Sequence, residues 1–286
     1  MTDNHVTLFE MAPRDGLQNE KAVIATADKI RLVDMLSGCG FGKIEAASFV
    51  SPKWVPQMAD AAQVMAGIAR APGIAYAVLT PNLHGFEAAL AAGADEVAIF
   101  GSASEGFSRA NINCSVAESL TRFAPLVEAA RAAGVPVRGY VSCVTDCPYD
   151  GPIPPASVVR VAVAMRAMGC YQISLADTIG AATPDSTARM LDTVLAEIPP
   201  DRLAGHFHDT GGRALDNIAT SLDRGLRVFD AAAGGLGGCP YAPGAKGNVA
   251  TEAVVDMLHG RGFATGIDPD RLRQAASFAH SLRSAA

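Results

Sequence analysis

Nowhere does this chain carry an apolar run long enough to cross a bilayer as a helix, a span that needs roughly eighteen or more residues. A surplus of positive charge is also missing. With 23 Lys and Arg against 29 Asp and Glu, the formal net charge is -6. Nonspecific binding to nucleic acid or to an anionic membrane needs a positive field, so both are poor expectations. No Cys-x-x-Cys pair occurs among Cys39, Cys114, Cys143, Cys147, Cys170 and Cys239. The chain is also far longer than disulfide-stapled scaffolds, so reduced thiols are expected. The opening Met1-Thr2-Asp3-Asn4 has no cationic stretch leading into an apolar segment. A signal peptide is therefore not visible, and a cytoplasmic protein is expected. No Pro- or Ser-rich linker divides the sequence, which favours a single domain over residues 1–286.

What is present is a long alternation of short β-like runs with helical patterns. A chain of 286 residues with 49% hydrophobic and 18% charged residues is globular and can bury a large core. Strands are expected at 6–11, 43–47, 74–79, 96–100, 135–142, 171–176, 203–208 and 228–232. Helices are expected at 27–39, 57–69, 83–92, 116–133, 156–168, 187–197, 214–224 and 249–259, with a polar loop between residues 100 and 116. In the first helix Ile30, Leu32, Val33, Met35 and Leu36 form the apolar stripe. Eight β–α units in about 250 residues predict a (β/α)8 TIM barrel, with a further C-terminal helix at 269–283. Alternation alone leaves an open doubly wound sheet as the alternative. Barrel enzymes place their active sites on the loops that follow the strands, so unusual polar residues are expected there.

His206-Phe207-His208 closes the seventh strand, where i and i+2 side chains share a face. Two imidazoles so placed suit a shared cation, or else form a hydrogen-bonded pair at the barrel mouth. Arg14-Asp15-Gly16 follows the first strand. Asp15 offers a carboxylate ligand, Arg14 a fork of donors for an oxyanion, and Gly16 a tight turn. Alone, the tripeptide reads equally as an ordinary polar turn. The stretch after the eighth strand holds six glycines between Gly234 and Gly247, and presents Cys239 beside Pro240. Such a segment permits a mobile lid or close backbone approach to a ligand. It lacks the Gly-Lys-Ser/Thr of a phosphate loop. Asn248 begins the eighth helix, as its cap or as a ligand. Glu45, Asp177, Asn111, Tyr140 and Ser174 lie at strand ends or on the loops that follow. Asp15, His206, His208 and Asn248 come from units that a closed barrel makes neighbours. Two nitrogens and two oxygens without sulfur suit Mg²⁺ or Mn²⁺ better than a closed zinc site, with Fe²⁺ and Co²⁺ left open.

At these residues the sequence resembles the 3-hydroxy-3-methylglutaryl-CoA (HMG-CoA) lyase family of metal-dependent barrels. The likeness runs through residues 10–21, Ser142-Cys143, Cys147-Pro148-Tyr149, 169–180 and 206–210. It is strongest at 234–252, where Gly-Leu-Gly-Gly-Cys-Pro-Tyr separates the family from its condensing relatives. The resemblance implies a carbon–carbon lyase that yields acetyl-CoA and acetoacetate, with Asp15, His206, His208 and Asn248 as metal ligands. It further implies that Arg14 stabilises the enolate oxygen and that Cys239 transfers a proton from the lid, with His206 or Asp15 accepting the hydroxyl proton. Glu45 and Asp177 would support catalysis. Gln18 and Lys21, with Asn111, Tyr140 and Ser174, would serve the acyl-CoA substrate. A homodimer or higher homo-oligomer is expected on the same ground. Ala176, Gly212 and Thr145-Asp146 depart from the family pattern near the barrel mouth, so a related 3-hydroxyacyl-CoA is an alternative substrate. An aldolase or Claisen-type condensation on a 2-oxo acid is the rival reaction. The end at Ala286 leaves out the C-terminal cysteine of some members, and no thiol switch is expected.

Overall fold

A computed structural model describes residues 4–237 and 247–284 of the chain. Its eight principal strands are β1 (Thr7–Glu10), β2 (Lys43–Ser48), β3 (Ala75–Leu79), β4 (Glu96–Ser102), β5 (Val137–Ser142), β6 (Gln172–Asp177), β7 (Leu203–Phe207) and β8 (Val228–Ala231). All neighbours pair in parallel, and β1 bonds to both β2 and β8, which closes the barrel. The open-sheet alternative is thereby excluded. Each expected strand is present, with ends shifted by no more than two residues.

The alternation within each strand explains why the barrel closes. In β5, Val137 and Val141 join the aliphatic layer between strands and helices, while Arg138 and Tyr140 point to the interior. In β7, Phe207 belongs to that outer layer, and His206 on the other face meets Asp230 of the adjacent β8 inside the barrel. Each fully buried Val, Leu or Ile of the outer layer contributes about 1.5–3 kcal/mol, so this layer holds the fold. Register then sets the interior neighbours. Asp230 lies beside His206, Ala176 beside His206, and Tyr140 beside Ser174.

The helices are α1 (Thr26–Ser37), α2 (Ala61–Gly67), α3 (Leu83–Ala91), α4 (Glu105–Ile112), α5 (Val116–Ala132), α6 (Pro155–Met168), α7 (Pro184–Val194), α8 (Ala214–Asp223), α9 (Thr251–Gly260) and α10 (Pro269–Ser284). α5 starts where expected because Ser115 and Glu118 form a reciprocal capping box. Five expectations need correction. The helix expected at 57–69 is shorter, because Pro56–Met58 form a separate 3-10 turn and α2 begins only at Ala61. The polar loop after β4 contains α4, whose Ser104 cap accepts the Phe107 N–H at 2.9 Å; its few apolar residues gave no clear stripe. α7 begins three residues early, because Thr183 caps it and Pro184 occupies its first turn. Asn248 does not start a helix: α9 begins at Thr251, and Asn248 forms an antiparallel bridge with His208. Residues Ala12–Gly16 form a single π-helical turn. Gly16 has no positive φ there; a Cβ on it would lie 2.8 Å from Leu236 Cβ, so close packing rather than turn geometry explains it.

Candidate active site and metal centre

The π-helical turn after β1 lifts Arg14 and Asp15 over the mouth of the barrel. β7 and the residue that follows it supply His206 and His208, and the strand-like return before α9 supplies Asn248. The two imidazole centroids are 5.3 Å apart. Asp15 Oδ2 lies 3.9 Å from His206 Nε2 and 3.8 Å from His208 Nε2. It also accepts a hydrogen bond from Asn248 Nδ2 at 2.7 Å. One donor atom from each of Asp15, His206 and His208 falls within 4.8 Å of the others, a spacing that can hold a metal ion. Asn248 Nδ2 is also bonded to the Leu236 carbonyl at 3.1 Å, while its Oδ1 is buried without a partner. A buried carbonyl oxygen left unpaired at this cluster is the atom a cation would satisfy. The expected four-residue set therefore meets.

A ring of buried charges surrounds it. Arg14 donates Nε to Glu45 Oε2 and Nη1 to Asp15 Oδ1, the latter at 2.6 Å. Tyr140 Oη donates to Glu45 Oε1 at 3.2 Å and accepts Arg138 Nη1 at 3.0 Å. Arg138 Nη2 reaches Asp230 Oδ1 at 2.8 Å, and Asp230 Oδ2 lies 3.2 Å from His206 Nδ1. Three carboxylates (Asp15, Glu45, Asp230) thus face two guanidiniums (Arg14, Arg138) and the two imidazoles. The donor set and the unpaired oxygen fit a divalent cation.

The ionisable groups respond accordingly. Burial works against the charge of Asp15, yet Arg14 and the two histidines hold its carboxyl well below the usual range. Burial likewise opposes charge on His206, but the Asp230 hydrogen bond leaves it raised. For Asp177 burial wins, and its pKa is pushed up to about 6 even though the Ala182 and Ala181 N–H groups donate to it. Asp177 ends β6, as expected.

The remaining site expectations divide. Ser174 Oγ donates to Asp230 Oδ2 at 2.7 Å, so Ser174 and Tyr140 belong to the buried network beneath the cluster. Gln18 and exposed Lys21 line a cavity of about 280 Å³ with Trp54 and Gln57. Asn111 is exposed in the last turn of α4 and makes none of the contacts above. Cys239 lies outside the described residues. Sequence reasoning missed Arg138, Asp230 and Glu10. Their signal was an ionisable residue within an otherwise apolar strand, which must be paired if buried.

A family model described as HMGL-like matches residues 5–279. The mitochondrial hydroxymethylglutaryl-CoA lyase of Gallus gallus is 59% identical over 273 residues, covering 96% of this chain and 92% of that protein. The 3-hydroxy-3-isohexenylglutaryl-CoA/hydroxymethylglutaryl-CoA lyase of Pseudomonas aeruginosa is 58% identical, covering 94% and 90%. The crystal structure of the HMG-CoA lyase from Brucella melitensis shares 63% identity and superposes with a TM-score of 0.97, covering 98% of this chain and 99% of that one. With its closed barrel and its cluster of cation donors, this chain belongs to the HMGL-like family.

Proposed function

We propose that this protein is a carbon–carbon lyase that cleaves HMG-CoA to acetyl-CoA and acetoacetate, using Mg²⁺ or Mn²⁺. The observation that carries this reading is the meeting of Asp15, His206 and His208 donor atoms beside the unpaired Asn248 Oδ1. These four residues would hold the cation, and one barrel would carry the whole activity. When bound, the cation supplies Lewis acidity towards the C3 hydroxyl and a neighbouring substrate oxygen.

The chain's own residues do the rest. Cleavage needs a base for the C3 hydroxyl proton. His206 and Asp15, the sequence expectation, serve poorly: Asp230 occupies one His206 nitrogen, and the Asp15 carboxyl is held strongly acidic. Asp177 ends β6 and its carboxyl, pushed up to about 6 by burial although the Ala182 and Ala181 N–H groups donate to it, is matched in acidity to that role. Arg14, locked by Glu45 and Asp15, presents a fixed positive charge where the departing thioester enolate becomes negative. Cys239 protonates the enolate carbon, a role that rests on the family resemblance. Gln18 and Lys21 serve the acyl-CoA from the neighbouring cavity.

The decisive assay offers HMG-CoA with Mg²⁺ or Mn²⁺ and measures acetoacetate, before and after chelation. Turnover that survives thorough chelation would remove the cation from the reading. No cleavage, with acetyl-CoA consumed in the presence of a 2-oxo acid, would favour condensation. A related 3-hydroxyacyl-CoA is a second reading, favoured by Ala176 lying beside His206 and by the dual name of the Pseudomonas relative. A panel of C3-substituted thioesters separates the two.

A further inference from the structure

We propose that Asp230 is a positioning residue that fixes His206 in the Nδ1–H tautomer and so turns its Nε2 lone pair towards the cation. This rests on the reading of His206 as a metal ligand. Asp230 is buried at 1% exposure, on β8, directly beside His206 in the register with β7. Each of its oxygens has a defined partner. Oδ1 accepts from Arg138 Nη2 at 2.8 Å, and Oδ2 accepts from Ser174 Oγ at 2.7 Å. Arg138 is itself fixed, because its Nε donates to Gln172 Oε1 at 3.1 Å and its Nη1 to Tyr140 Oη at 3.0 Å.

A carboxylate held by a guanidinium and a hydroxyl is only an acceptor. The His206 Nδ1 that faces Oδ2 at 3.2 Å must therefore carry the hydrogen. In the neutral ring Nε2 is then left with its lone pair, on the side of Asp15 Oδ2. His208 offers a contrast: its Nδ1 is buried without a partner. One of the two imidazoles is thus locked in tautomer and ring orientation, and the lock was built into strands that contribute no other ligand. Carboxylates bonded to ligand imidazoles act in this way in metal sites generally, and their loss costs about 10–100-fold in metal affinity.

A purely structural role, as counter-ion to Arg138, would need no particular tautomer. Two measurements separate the roles. In metal-free wild type labelled with ¹⁵N-histidine, long-range ¹H–¹⁵N spectra recorded at a pH where the His206 ring is neutral should show it protonated at Nδ1 and bare at Nε2. In Asp230→Asn, Arg138 should keep the amide oxygen, so the amide N–H₂ faces His206 Nδ1 and drives its hydrogen to Nε2. The Mn²⁺ dissociation constant, read by electron paramagnetic resonance, should then rise about 10–100-fold. A neutral wild-type His206 with its hydrogen on Nε2 rather than Nδ1 would overturn the proposal, even if the variant did not fold. So would an Asp230→Asn protein that binds Mn²⁺ as wild type does. Wild type that binds no Mn²⁺ would instead overturn the cation reading on which this one rests.

Discussion

At the scale of single residues, the site is a set of groups whose environments have been pushed apart. Asp15 and Asp177 are both aspartates near one barrel mouth, yet one is held strongly acidic by Arg14 and the other is raised to about 6 by burial. Two carboxylates so separated suit a ligand and a base respectively. In wild type kcat/KM should accordingly rise as pH increases through about 6, as Asp177 loses its proton. Asp177→Asn should lower kcat by about 10²–10⁴-fold and abolish that limb. A surviving limb would assign the base elsewhere. Cys239→Ala should reduce kcat by a similar order while Mn²⁺ affinity stays unchanged; equal rates would take the thiol out of the reaction. Gly237 has a φ of +111°, and a Cβ on it would lie 2.7 Å from Asn248 Nδ2. Gly237→Ala should therefore displace Asn248 and weaken Mn²⁺ binding, which titration calorimetry would measure.

At the scale of elements, the seam where β8 meets β1 joins the two ends of the chain, and Glu10 holds it together. Its Oε1 accepts the N–H of Ala12 at 2.8 Å and of Ala233 at 2.9 Å, and its Oε2 accepts Thr251 Oγ1 at 2.8 Å. Those partners begin the π-helical turn that carries Asp15, the glycine-rich segment, and α9. Full burial raises its pKa from 4.5 to about 7, against the hydrogen bonds that lower it. The folded state thus binds a proton that the unfolded chain releases at lower pH. Its contribution to stability is complete below pH 4.5 and is lost as pH rises towards about 7. The total change is on the order of 3 kcal/mol. Glu10→Gln should remove that slope, seen as urea midpoints at pH 5 and pH 7.5 that differ less than in wild type. An unchanged slope would clear Glu10 of the effect.

At the scale of the whole molecule, the barrel supplies a closed wall of paired strands on which loops from distant parts of the chain converge. Any cation bound only by the folded site stabilises the fold by mass action, by about 2.7 kcal/mol at a hundredfold excess over its dissociation constant. Mn²⁺ should raise the melting temperature of wild type by several degrees, at about 2–4 °C per kcal/mol. His208→Ala should lose most of that shift. A wild-type melting curve indifferent to Mn²⁺ would contradict the cluster's role.

The sequence by itself determined the eight strands, the helices with strong apolar stripes, and the candidate donors Asp15, His206, His208 and Asn248, because periodicity and local motifs are written in neighbouring positions. It misjudged α4, whose stripe is short, and the starts of α2 and α7; Thr183 and Pro184 begin α7 ahead of the stripe formed by Thr187, Met190, Leu191 and Val194. Only the tertiary structure decided closure, the bridge that brings Asn248 to His208, and the pairing of Arg138, Asp230 and Glu10. Those depend on contacts between elements up to 241 residues apart in the chain, as Glu10 on β1 and Thr251 at the start of α9 are, and no local pattern encodes such a distance. Burial then sets which carboxyl keeps its proton, because the cost of charge belongs to the packed interior and not to the residue type.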